Sequence, residues 1–200
     1  MTITIIIIAI TCVVSFFAFK DQMLMQRLIL WPPAVKRSRE YWRLVSYGLV
    51  HADGQHLLFN MLTLYFFGQF VEQTFEPAIG EIGYVLFYIG GLLASILPSY
   101  AKNENNPNYR SLGASGAVSA IVFAFILMNP WAQIYFYFFP MPAIIYAALY
   151  IGYSVYMDHS GRGNVNHSAH LWGAAYGVAF TLVMEPSRFS AFFRALGHPS

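Results

Sequence analysis

Four polar side chains lie inside or beside apolar stretches of this chain, and their types suit acyl transfer. They are His56 and Asn60 in "HLLFN", Ser115 in "SLGASGAVSA" and His170 in "HSAHLWGAAYGVAF". A serine hydroxyl attacks a carbonyl once a histidine within hydrogen-bond reach takes its proton. Amide and imidazole N–H groups then stabilise the oxyanion that forms. Polar groups at membrane depth are costly, so each is a functional candidate by default.

The elements that must position them are helices with bare faces. His170, Gly173, Ala174 and Gly177 recur at helical spacing and form one narrow stripe. Ser115, Gly116, Ser119 and Ala120 form a second. Small residues at this spacing let two helices approach closely, and each stripe taken alone reads most simply as packing. Together, with Ser and His at matching helix ends, they point to chemistry. Ser115 also stands at a helix start, where the first backbone N–H groups lack intrahelical partners and the dipole is positive. Gly113 and Gly116 let a substrate backbone come near. His56 and Asn60, four apart, share one helix face. They serve equally well as oxyanion donors or as hydrogen-bonding glue between helices.

Composition sets the surroundings. The chain has 200 residues, 58% hydrophobic and 10% charged. Soluble domains carry about 25% charged residues, so a polytopic membrane protein of a single domain, residues 1–200, is expected. No Lys/Arg cluster is interleaved with aromatics, so nucleic-acid binding is not expected. The single cysteine, Cys12, lies in an apolar run and forms no internal disulfide.

Six apolar stretches approach the roughly 20 residues that a span needs. They cover about 2–19, 55–75, 82–100, 115–128, 142–157 and 168–184. The first lacks a basic leader and a cleavage site, so it reads as a retained span. Residues 20–54 mix basic residues with "LILWPPAV" and "YWRLVSYGLV" and read as a structured interfacial loop. Trp31 and Trp42 would sit at headgroup depth. "WAQIYFYFFPMP" reads as a second interfacial piece, because Pro140 and Pro142 interrupt a helix.

Other chemistries find less support. There is no HExxH motif. His167 and His170 are three apart, but no third metal ligand has suitable spacing. His51 and His56, five apart, should point to different helix faces. Asp158 lies in "MDHSGRGNVN" and reads as a loop charge. A transporter would want more charge at mid-membrane than Glu72 supplies.

The ordered set of motifs resembles the rhomboid family of intramembrane serine proteases. It runs from Trp42–Arg43 through "HADGQHLLFN", "GQFVE" with Glu72 and "GASG" to "AHLWGAAYG". The resemblance implies an all-α bundle of six transmembrane helices and a dyad of Ser115 and His170. It makes His56 and Asn60, with the Ser115 amide, the oxyanion site. Trp42 and Arg43 would brace the first loop, and Glu72 would hold structure near the far end of the second span. No metal or cofactor is implied. Substrates would be transmembrane proteins in the lipid bilayer, entering by a gate formed by the fifth span and the loop before the sixth. The resemblance leaves the oligomeric state open.

Two features depart from the family pattern. Many rhomboids carry a tyrosine one turn after the serine, packed on the histidine; here that residue is Ser119. The family also implies a bacterial plasma membrane with the site facing outward. Nine of the eleven Lys/Arg residues fall on the loops of that same side, which the positive-inside rule would place in the cytoplasm. The rival to a protease is a catalytically inactive rhomboid-like binding module. Retention of all four polar residues argues against it.

Overall fold

The computed structural model describes residues 2–136, 139–160 and 165–197, which are mostly helical. The first apolar run forms α1 (Ile3–Lys20). Short helices α2 (Gln22–Leu28), α3 (Pro32–Ser38) and α4 (Arg43–Ser46) then fold the expected interfacial loop. Asp21 caps α2 by accepting from the Met23 and Leu24 amides. Pro32 and Pro33 open α3, where a missing N–H costs nothing. Arg43 holds these pieces together. Its buried guanidinium pairs with Glu40 and donates to the Gln26 and Ile29 carbonyls at 2.8 and 2.7 Å. Trp42 is exposed.

Asp53 caps α5 (Gly54–Thr63), accepting from the His56 amide at 2.7 Å. A π-helical turn at Leu64–Gly68 leads into α6 (Gln69–Asn103). The stretches expected as 55–75 and 82–100 thus join without a loop. The backbone breaks between them at Gly80 (φ 67°, ψ 175°), a conformation essentially confined to glycine. Next come α7 (Ser115–Met128), strands β1 (Gln133–Phe136) and β2 (Phe139–Pro142), α8 (Ala143–Ser160), α9 (His167–Met184) and α10 (Ser187–Gly197).

Two elements correct the sequence reading. The strands pair antiparallel, Gln133 opposite Pro142, so the chain is not wholly α-helical. A two-stranded ribbon accommodates Pro140 and Pro142 because edge positions need no N–H. The amphipathic α10 was not foreseen; its Ala195 carbonyl accepts from Trp131 Nε1 at 2.7 Å.

Among the described residues, Ile3–Lys20 and Gly54–Asn103 are long and apolar enough to cross a membrane. The 14-residue α7 rises only about 21 Å at 1.5 Å per residue, less than a hydrocarbon core of about 30 Å. It lies inside the bundle, buried at every position except Ser115, Phe125 and Met128. On one side, Gly91 of α6 lies against Ala117, and Gly116 lies against Ser95 of α6. On the other, a Cβ at Gly173 would lie 2.1 Å from the Gly116 carbonyl oxygen. One at Gly177 would lie 2.0 Å from the Ala120 oxygen. Neither helix admits a methyl group there without moving apart.

Glu72 ties the far end together. Its buried carboxylate accepts from the Ile3 and Thr4 amides at 2.6 and 2.8 Å, matching a negative charge to the positive end of α1. Tyr84 donates to the Gly68 carbonyl (3.0 Å) and so accepts from Thr4 Oγ1, also at 3.0 Å.

Candidate active site

Ser115 is the first residue of α7. The first intrahelical bond over it runs from the Val118 amide to the Ala114 carbonyl, at 3.0 Å. The Ser115 and Gly116 amides therefore lie outside the helix's own ladder. The chain enters this helix through Gly113, at φ 107°. The Gly113 amide donates to the Tyr47 carbonyl (2.9 Å), and the Ala114 amide donates to His51 Nε2 (3.3 Å).

His51 is fully buried and has a definable tautomer. Ser15 Oγ donates to the Leu49 carbonyl at 2.9 Å, so it accepts from His51 Nδ1–H at 3.1 Å. That leaves Nε2 as the acceptor that Ala114 needs. Burial, reinforced by the nearby His56, pushes the His51 imidazole down to about 3 and keeps it neutral. The sequence reading gave His51 no role of its own. Five-residue spacing does not separate it from His56, because α5 starts only at Gly54. The two rings meet edge to face with centroids 5.0 Å apart. The sequence offers only a histidine two residues before an aspartate, whose capping role the structure reveals.

Across the α7–α9 seam, His170 Nε2 lies 2.8 Å from Ser115 Oγ. Asn166 caps α9 through the Ala169 amide and also bonds Ser99 and Tyr109. The end of α9 bearing His170 is thereby fixed to α6 and the loop after it.

Ser115, His170 and Asn60 line one cavity of about 170 Å³. Its walls include Phe59 and Thr63 of α5, Val118 and Ser119 of α7, and Tyr146 and Tyr150 of α8. Asn60 donates one N–H to the His56 carbonyl at 2.9 Å, which leaves it a second. His56 is not in this lining and sits against Gly113 instead. A Cβ at Gly113 would come within 2.7 Å of the His56 ring. Gly113 is thus demanded twice, by its φ and by this contact. Gly116, Gly173 and Gly177 form the seam, Glu72 stands at the end of α1, and Trp42 and Arg43 line a separate cavity in the first loop. Asp158 is exposed in the last turn of α8 rather than in a loop. Of the loop expected to gate the site, residues 161–164 lie outside the described residues. Among the described residues, no group of three or more His, Cys, Asp or Glu is placed to hold a metal ion.

A family model, the rhomboid domain, matches residues 38–187. The chain belongs to the rhomboid family. Membership places it among integral membrane proteins, in a family of intramembrane serine proteases. One curated relative is RHOMBOID-like protein 12, mitochondrial, of Arabidopsis thaliana. It is 30% identical over 190 residues, 88% of this chain and 56% of the relative. The chain therefore spans little more than half the length of that protein. A second is the rhomboid protease GlpG of Haemophilus influenzae, 25% identical over 187 residues and 90% of both chains.

Proposed function

We propose that this rhomboid is an active serine endopeptidase that cuts transmembrane proteins in or near the bilayer through a Ser115–His170 dyad. The observation that carries the reading is the 2.8 Å contact between Ser115 Oγ and His170 Nε2, beside first-turn amides and at the wall of a cavity. His170 takes the Ser115 proton as Oγ bonds the substrate carbonyl carbon. The carbonyl oxygen becomes an anion, held by the Ser115 amide and by Asn60, with His56 placed by Gly113 to add a donor. Collapse breaks the C–N bond, and the leaving amine takes the proton from His170. Water, deprotonated by the same imidazole, then releases the acyl group and frees Ser115. An inactive binding module would have no need to keep this constellation assembled.

The wider frame is proposed with it: one domain over 1–200, with six spans in which α5 and the two parts of α6 supply the second and third. It includes a bacterial plasma membrane with the site facing outward, and the near-complete overlap with the Haemophilus protein supports the bacterial setting. The basic first loop lies on the same side as Ser115, since Leu30 pairs with Ser111. Two of its charges are engaged, however. Arg43 is buried on carbonyls, and Lys36 pairs with Glu104. They are poor reporters of orientation. A periplasm-active reporter fused after Ser200 should stay silent; a signal from it overturns this orientation. For the activity itself, vesicles carrying the protein and a single-span substrate should release a cleaved fragment, and Ser115→Ala vesicles none. Equal cleavage by both would refute the dyad.

A further inference from the structure

The His170 imidazole has one hydrogen bond among the described residues, to Ser115 at Nε2. A single bond leaves the ring free to turn about it, so packing must set its plane. The edge of His167 meets it at 5.7 Å (76°), and the face of Tyr150 covers it at 6.0 Å with the planes only 26° apart. Tyr150 belongs to α8, not to α7 or α9. Its hydroxyl lies 2.6 Å from Ser119 Oγ, which in turn donates to the Ser115 carbonyl at 2.8 Å. Ser119 has one hydrogen and gives it to that carbonyl, so Tyr150 donates to Ser119. The proton order Tyr150, Ser119, Ser115 carbonyl ties the covering ring to the backbone of the proposed nucleophile.

We infer that Tyr150 is the positioning residue for His170 in this chain, docked on Ser119, and that the competence of the dyad therefore depends on where α8 stands. The inference rests on the dyad reading above. A serine one turn after Ser115 fits this arrangement: a larger side chain there would occupy the place where the Tyr150 hydroxyl docks. Tyr150 and its neighbour Tyr146 also wall the cavity facing Phe59 and Asn60. An occupant of that cavity touches the ring that holds the base, so substrate shape acts on turnover as well as on binding.

The test uses the full chain purified in detergent and a fluorogenic transmembrane peptide. Tyr150→Ala should lower kcat about 10- to 100-fold, within the span that a general base contributes, with KM changed less than about threefold. Tyr150→Phe keeps the ring and loses the tether, and should cost about three- to tenfold. Ser119→Ala removes that bond and the one to the Ser115 carbonyl and should cost at least as much, and the double variant no more than Ser119→Ala alone, because it removes no further bond. Moving the ring to α7 in Tyr150→Ala/Ser119→Tyr should restore kcat to within about fivefold, since residues four apart share a face. Wild-type kcat in both Tyr150→Phe and Ser119→Ala, additive losses in the double, or no recovery with the relocated ring would each overturn the inference. The Phe and Ser119 variants decide the matter even where Tyr150→Ala does not fold. Ser115→Ala run alongside separates the two levels. Cleavage surviving in it defeats the dyad, whereas its loss beside undisturbed Tyr150 and Ser119 variants defeats only the role of Tyr150.

Discussion

The α7–α9 pair and α8 face one cavity and are held by opposite means. Along α7–α9 the backbones touch: Gly173 and Gly177 lie so near the Gly116 and Ala120 carbonyls that a methyl group has no room. By contrast, α8 buries only Ala143, Ala147 and Ser154, and turns most of its length outward. The proposed nucleophile and base sit on the tight pair; the ring over His170, with Tyr146 beside it in the cavity wall, sits on the loose helix. Chemistry that tolerates little misplacement is thus placed where movement costs most. The surface that would admit a substrate in this proposal is placed where movement costs least.

Breaking the tight side should have the largest effect. Gly177→Leu forces a side chain into the Ala120 backbone, and overpacking of this kind costs about 1–3 kcal/mol or more. Cleavage should be undetectable and thermal unfolding in detergent clearly earlier, whereas Ile145→Ala, on the exposed face of α8, should change neither. Next in size is Asn60→Ala. One lost oxyanion donor costs up to about 10²–10³-fold in kcat, and shared donors should keep this loss near tenfold. Undiminished kcat would remove Asn60 from the site.

Acid sharpens the comparison further, because His51 holds the segment that leads into Ser115 through the Ala114 amide. The folded protein refuses a proton at His51 until about 3, while the unfolded chain accepts it near 6.5. Stability should therefore fall as pH drops through that window. The slope should be shallower in His51→Gln, as followed by thermal unfolding at stepped pH. At the far end of the bundle, Glu72→Gln should lower stability by about 0.3–1 kcal/mol through the α1 dipole and leave kcat unaltered. The smallest effect belongs to Lys36→Ala. Its pair with Glu104 is exposed, so both activity and unfolding should match the wild type.

Much of this arrangement is legible in the sequence. Small residues every four positions in "SGAVSA" and "HLWGAAYG" imply that two helices touch, and polar residues at their ends imply where. The elements around 115–128 and 168–184 were legible too, since runs so apolar leave few other conformations. What was not legible depends on where separate elements end or meet. His51 needed the true start of α5. Tyr150 needed the placement of α8, and nothing in "ALYIGY" marks one tyrosine over its neighbours. The carboxylate of Glu72 caps a helix almost seventy residues away, a pairing no local pattern carries. The strand pair escaped because two prolines argue against a helix without arguing for a ribbon.

The central claim is that Ser115 is a nucleophile activated by His170. Fluorophosphonate labelling of the detergent-purified protein, with the modified residue located by mass spectrometry, tests it most directly. A single adduct on Ser115 is expected, absent in Ser115→Ala and nearly absent in His170→Ala. An unlabelled wild type, an adduct on another serine, or His170→Ala labelling at the wild-type rate would contradict it.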